Sequence, residues 1–137
     1  MAIRYLLDTN TVSYAIKGDP RPVRERLKAI PKSIVALSVF TQAELLYGLV
    51  RRPEAARLRI EVDAFLRDSQ ILLWGSPAAA SYGELRAIQE RKGRPLSHED
   101  LMIAAHALSL GLTLVTHDSA FSYVDGLKTE DWTVAER

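Results

Sequence analysis

Cysteine is absent from this chain of 137 residues, which excludes disulfides, thiol nucleophiles and Cys-built zinc sites, and is what a cytoplasmic protein is expected to show. An excess of one charge is also missing. Eighteen Lys and Arg face seventeen Asp and Glu, a formal charge of +1, so no acidic tail or wholly basic surface is present and contact with a polyanion must come from local patches. No apolar run reaches transmembrane length, and the opening Met1-Ala2-Ile3-Arg4-Tyr5-Leu6-Leu7 is too short for a signal-peptide core, so a cytoplasmic chain with no membrane segment is expected. Glycine is sparse and never clusters as a Walker loop or as Gly-x-Gly-x-x-Gly, which argues against nucleotide-cofactor chemistry. No Gly-x-Ser-x-Gly elbow supports a serine nucleophile.

What is present is a chain with 47% apolar residues, enough to bury a core as one domain over residues 1–137. Short apolar runs at residues 3–7, 33–38, 71–74, 112–116 and 132–134 alternate with stretches of helical period. That alternation predicts an α/β fold, a mainly parallel sheet of about five short strands flanked by helices. Helices are predicted over residues 21–29, over 54–67 with Leu58, Val62, Phe65 and Leu66 on one face, and over 77–92 with Ala78, Tyr82, Leu85 and Ile88. Another is entered at Thr41, and a further one over 100–110 presents Leu101, Ala104, Ala105 and Leu108. Gly93, with Pro95 beyond it, and Gly111 suit the stops of the last two.

Four acids fall at informative points on that scaffold. Asp8 follows the first strand, and Asp118 comes two residues after the strand at 112–116. Glu44 lies in the first turns of the helix after the strand at 33–38, and Asp100 opens a helix after Ser97-His98. In a parallel sheet, strands end and the following helices begin on one edge, so the fold would gather these four side chains there. Crowded carboxylates repel one another and raise each other's pKa unless a cation neutralises them. All-oxygen donors suit a hard ion, Mg²⁺ or Mn²⁺, which retains several waters. Such an ion can lower the pKa of a bound water and neutralise charge on phosphate oxygens, the two needs of phosphodiester hydrolysis.

Each acid also has an ordinary structural reading. Asp8-Thr9-Asn10-Thr11 fits a polar turn capping the next helix, and Asp118 in His117-Asp118-Ser119 fits another cap. Thr41-Gln42-Ala43-Glu44 fits a capping box, and Ser97-His98-Glu99-Asp100 places an acid where a cap and the helix dipole both favour it. Local capping explains each residue but not the arrival of four acids at one edge. His98, His106 and His117 lack the short spacing of a zinc site, and His106 within an alanine-rich helix reads as a packed or surface side chain.

Taken together, Leu6-Leu7-Asp8-Thr9-Asn10, Ser38-Val39-Phe40-Thr41-Gln42-Ala43-Glu44-Leu45-Leu46-Tyr47-Gly48, Gly93-Arg94-Pro95-Leu96, Asp100-Leu101-Met102-Ile103-Ala104-Ala105-His106-Ala107-Leu108, Leu114-Val115-Thr116-His117-Asp118 and the closing Gly126-Leu127-Lys128-Thr129-Glu130-Asp131-Trp132 resemble the PIN-domain toxins of the VapC family over almost the whole chain. The resemblance implies a PIN-like fold and a magnesium-dependent endoribonuclease of a type II toxin–antitoxin pair, usually a homodimer silenced by a small VapB antitoxin. It implies that Asp8 and Asp100 ligate the metal directly and that Glu44 and Asp118 complete the acidic quartet, with Asn10 and Thr116 near the pocket. Relatives often carry Asn-Asn or Asn-Thr where this chain has His117-Asp118-Ser119.

RNA binding would draw on Arg21, Arg24, Arg26, Arg51, Arg52, Arg91, Lys92 and Arg94, each of which also reads as an ordinary solvated base. The family resemblance points to a transfer RNA before a messenger RNA. Three other functions have weaker support. An aspartyl phosphotransferase lacks the second Asp after Asp8-Thr9-Asn10, a receiver-like module lacks a Lys in the right context, Lys128 being misplaced, and an inert PIN-like scaffold for RNA or protein does not need all four acids.

Overall fold

Tyr5-Leu6-Leu7 carries no charged side chain on either face, the composition of a strand covered on both sides, and all three residues are buried. In the computed structural model, which describes residues 2–135, they form β1 (Tyr5–Leu7), the centre of a five-stranded sheet. The other strands are β2 (Val35–Ser38), β3 (Gln70–Leu72), β4 (Thr113–Val115) and β5 (Thr129–Glu130). Their order is β3-β2-β1-β4-β5, with every neighbouring pair parallel. Leu6 stands opposite Ala36 on one side and Leu114 on the other.

Six helices cover the sheet: α1 (Thr9–Lys17), α2 (Arg21–Ala29), α3 (Val39–Arg51), α4 (Ala56–Arg67), α5 (Ser76–Arg91) and α6 (His98–Leu110). Because side chains alternate along a strand, β1 feeds two cores. Tyr5 and Leu7 pack with Leu37, Val12, Ile16, Val23, Leu49 and Val62, and the partly buried Leu58, Phe65 and Leu66 close over that cluster as their helical spacing predicts. Leu6 packs on the other face with Ala36, Leu114, Leu85, Leu101, Ala104 and Phe121. Gly93 and Gly111, the two predicted stops, both adopt positive φ.

The structure corrects several element boundaries. The last strand is Thr129–Glu130, not residues 132–134: Asp131 accepts hydrogen bonds from the Thr133 backbone N–H (2.9 Å) and hydroxyl (2.6 Å), which bends the chain into a turn. Trp132 is buried there edge-on against Tyr5, with ring centroids 5.1 Å apart, so its apolar character reflects packing and not strand pairing. The third strand ends at Leu72, two residues before Trp74. The helix predicted from Thr41 begins at Val39, because the Ser38 hydroxyl accepts the Phe40 N–H at 3.1 Å and caps it. α1 is missing from the helices predicted by periodicity, although Val12, Ala15 and Ile16 are buried at helical spacing, because its other residues are mostly polar.

Two short links fix the functional edge. α1 starts two residues after β1 ends, with Asp8 between them, and α3 starts directly after β2, so both begin at the carboxyl edge. α6 finishes at Leu110, close before β4, so its first turn reaches that same edge from the opposite direction. His106 anchors it: its Nε2–H donates to the Leu73 carbonyl (3.1 Å), and its Nδ1 accepts from the Ser38 hydroxyl (2.9 Å). Burial pushes the imidazole pKa down, holding it neutral, which accounts for His106 as a packed residue.

Candidate active site

Asp8 leaves β1 in extended conformation and is 8% exposed. Its backbone N–H donates to the Val115 carbonyl (3.1 Å), and its Oδ1 accepts the Thr11 N–H (2.8 Å), capping α1. The Thr11 hydroxyl donates to that same Val115 carbonyl at 3.1 Å, so the acid is pinned between β1 and β4 with its second oxygen uncommitted to the cap.

Asp100 sits in the first turn of α6, half-buried, where its N–H donates to the Ser97 hydroxyl at 3.1 Å. Burial pushes its carboxyl pKa up, and the charges of Asp118, Asp8 and Glu99 push the same way, opposed by the Ser97 hydrogen bond. Those electrostatic contacts bring three of the predicted acids together across three separate elements. Asp118 is exposed; its N–H donates to the buried Thr116 hydroxyl (3.0 Å), and its Oδ1 accepts the Ala120 N–H (2.9 Å), capping the 3-10 turn Ser119–Tyr123. The capping readings of Asp8 and Asp118 are therefore correct, and they coexist with convergence, since a cap occupies one carboxylate oxygen and leaves the other.

Glu44 differs. It is exposed on α3 and is not among the acids that raise Asp100. The capping box is also overturned, because Thr41 lies inside the helix, fully buried, and Ser38 is the cap. Thr41 instead meets Thr9, with the two hydroxyl oxygens 3.4 Å apart, and Glu44 lies one turn further along the same face of α3. Glu44 is thus exposed on the helix that meets α1 at Thr9, next in sequence to Asp8. Asn10 is exposed at the start of α1.

Sequence reasoning missed Asp131. Its Oδ2 accepts from Nδ1–H of His117 at 2.8 Å, and the Thr133 oxygen lies 3.2 Å from the same nitrogen. The hydrogen bond to Asp131, followed by that residue's charge, raises the His117 pKa, and Asp118 and Asp8 add to it. His117 therefore borders the acidic group, oriented by a residue fourteen positions away that no local motif could flag.

Chemically, Asp8, Asp100 and Asp118 offer oxygen donors only, the set a hard divalent ion takes. Among the described residues no three His, Asp or Glu side chains close round a single ion as placed. Asp8 and Asp100 would be the first donors to such an ion, whose remaining positions water can fill. Several predicted phosphate-binding bases have structural partners: Arg24 holds the end of α1 through the Ala15 and Ile16 carbonyls (3.0 and 2.6 Å), Arg26 pairs with Glu130, and Lys92 with Asp125.

Residues 5–127 match the PIN domain family model. The chain is 36% identical to the tRNA(fMet)-specific endonuclease VapC of Shigella flexneri, over 96% of this chain and 99% of that protein. It is 34% identical to ribonuclease VapC2 of Rickettsia felis, over 93% and 97% of the two. Among solved structures, DNA-bound VapBC from Salmonella typhimurium superposes with a TM-score of 0.88 at 36% identity, covering 95% of this chain and 98% of that one. VapBC2 of Rickettsia felis bound to a promoter DNA fragment superposes with a TM-score of 0.87 at 33% identity, covering 95% and 99%. A five-stranded parallel sheet with its acids at the carboxyl edge, matched over nearly its full length by ribonucleases of one kind, places the chain in the PIN-domain family, among the VapC ribonuclease toxins.

Proposed function

We propose that this chain, a toxin of a type II toxin–antitoxin pair, hydrolyses RNA phosphodiester bonds at the edge where Asp8, Asp100 and Asp118 meet, with Glu44 completing the site from α3. The observation that carries the reading is the placement of Asp8, Asp100 and Asp118, each fixed by a cap at the start of a different element, at the carboxyl edge of the sheet, where the charges of Asp118 and Asp8 both act on Asp100. Carboxylates held this close without a counter-charge are unfavourable, so the arrangement is built for a cation. Asp8 and Asp100 would hold Mg²⁺, or Mn²⁺, with Asp118 and Glu44 reaching it directly or through water. Bound there, the ion would supply an activated water and neutralise charge on the phosphate. The chain's own part is positioning: the Thr11 and Ala120 amides fix one oxygen each of Asp8 and Asp118, and the Ser97 cap fixes the turn that carries Asp100.

Transfer RNA is the substrate we favour, since relatives that match the whole chain are named for tRNA(fMet). A VapB-like antitoxin is the partner, as in the VapBC complexes that share the fold, and a basic side chain inserted among the acids would silence the site. A second copy would cover the exposed apolar face of α3, where Leu46, Tyr47 and Val50 are 42%, 58% and 73% exposed. The described residues include no helix long and apolar enough to cross a membrane, and we place the toxin in the cytoplasm with its RNA. The inert-scaffold reading has no observation in its favour.

The test is to incubate antitoxin-free protein with total RNA in Mg²⁺, in EDTA and as Asp8→Asn, and to map the fragment ends. Discrete cuts confined to the wild type with metal are expected; RNA intact in all three would overturn the reading.

A further inference from the structure

The segment that leads to Asp100 and the segment that follows Asp118 touch one another. Residues 92–97 join α5 to the start of α6, where the Ser97 hydroxyl caps the turn of Asp100, and Asp118 caps the 3-10 turn Ser119–Tyr123. Two cations of the first segment reach the second. Lys92 Nζ donates to Asp125 Oδ2 at 2.8 Å, so its charge is met. The guanidinium carbon of Arg94 instead lies 3.7 Å from the centroid of the Tyr123 ring, and both residues are exposed. A ring face attracts a cation without neutralising it, and no carboxylate among the described residues pairs with Arg94. The backbone beneath is fixed: the Arg94 N–H donates to the Gln89 carbonyl (2.9 Å), and the Arg94 carbonyl accepts from the Gln89 side chain (3.0 Å). Connectivity keeps the stack near the acids. Arg94 precedes Ser97 by three residues, at most about 11 Å of chain. Tyr123 follows Asp118 by five, about 10 Å at the rise of a 3-10 turn.

We propose that Arg94, held over Tyr123, is a clamp for one backbone phosphate of the RNA, flanking the scissile one. A guanidinium meets two phosphate oxygens at once through parallel N–H···O bonds. The aromatic face restrains the long side chain, so less freedom is lost when a phosphate binds. Unlike Lys92, Arg94 breaks no ion pair to make that contact. An acidic protein segment would also suit the fork, but the two segments that build the clamp are the ones that place Asp100 and Asp118, which ties it to the polyanion cut there. The inference rests on the ribonuclease reading, since a phosphate near these acids matters only if RNA is cleaved at them.

The experiment uses an RNA that the wild type cleaves, carrying at each position flanking the cut in turn a single methylphosphonate, which replaces one phosphate oxygen by a methyl group and removes the charge. Each is compared with the same RNA bearing only the 2′-O-methyl sugar needed to protect that linkage. At one position the wild-type kcat/KM is expected to fall about three- to tenfold, the worth of an exposed charged contact. Arg94→Ala should lose as much on the charged RNA and nothing further at that position. Arg94→Lys should recover only part of the loss, since an ammonium lacks the fork. Tyr123→Phe should match the wild type, and Tyr123→Ala should fall between it and Arg94→Ala. Should Arg94→Ala not fold, judged by circular dichroism, Arg94→Gln takes its place in the same comparison. A wild-type loss at every position that persists in the Arg94 variant overturns the clamp. Wild-type rates in Arg94→Ala on every RNA also overturn it, and leave the fork to a protein partner. RNA uncut by the wild type would instead overturn the ribonuclease reading, and the clamp with it.

Discussion

Asp8 has two duties that a single substitution can separate. Asn caps a helix about as well as Asp does, so Asp8→Asn should keep the Thr11 contact and melt within a few degrees of the wild type, while removing a charge the cation needs. Cleavage is expected to fall at least about a hundredfold, a scale typical of losing an electrostatic group in an active site. Asp8→Ala should lose activity equally and, in addition, about 1 kcal/mol of stability, read from urea unfolding. A poorly folded Asp8→Asn protein would mean that the carboxylate itself is structural. His106 makes a separate, pH-dependent prediction. Its folded pKa is depressed below the unfolded value, so its contribution to stability is complete above about pH 6.5 and is lost as pH falls through that value toward the folded pKa. Unfolding midpoints should therefore drop between pH 7.5 and pH 5.5. In His106→Leu the drop should shrink, although the variant is weaker throughout, because Ser38 and the Leu73 carbonyl lose their partner.

The elements around the site are held by single well-placed contacts. Gly18 ends α1 at positive φ, and Arg24 lies so close that a Cβ at Gly18 would come within 2.6 Å of its Nη1. The guanidinium fork bonds two carbonyls of the last turn, so Arg24→Ala should destabilise the fold by about 1–2 kcal/mol in urea unfolding, and Arg24→Lys should recover little, since an ammonium cannot reproduce the fork. Full stability in Arg24→Lys would reduce the contact to a charge effect. The residue was legible only as a base in a polar segment; its role depends on a chain reversal at Gly18 that no periodicity encodes. By contrast, α4, α5 and α6 were legible because their apolar stripes follow the helical repeat, and α5 and α6 are also followed by glycines with positive φ, Gly93 and Gly111. The acids at 8, 100 and 118 were legible because strand ends and helix starts share an edge. Glu44 was legible as an acid but not in its orientation, because Ser38 moves the start of α3 back two residues from Thr41. Asp131 was hidden, since its meaning arises only when β5 brings it beside His117.

At the scale of the whole molecule, a formal charge of +1 has to serve a polyanionic substrate, and much of the positive charge is already engaged. Arg24 holds α1, while Arg21, Arg57 and Arg86 pair with glutamates on their own helices. Lys92 pairs with Asp125, and Arg26 with Glu130. A protein that neutralises many phosphates releases many counterions, and its affinity falls steeply with salt. Each of these bases would give up a protein contact to neutralise a phosphate, which lowers the number of bases free to do so, and recognition is expected to lean also on the metal and on shape. The affinity of the cleavage-dead Asp8→Asn protein for its RNA, followed by fluorescence anisotropy at constant Mg²⁺, should therefore fall with a shallow slope of log K against log salt, about −3 or flatter, corresponding to roughly three or four phosphates on a single strand. The exposed intrahelical pairs are worth little in water, so they could open to meet RNA. In that case the slope would steepen well beyond −3, and the surface bases, not the acidic edge, would be the main source of affinity.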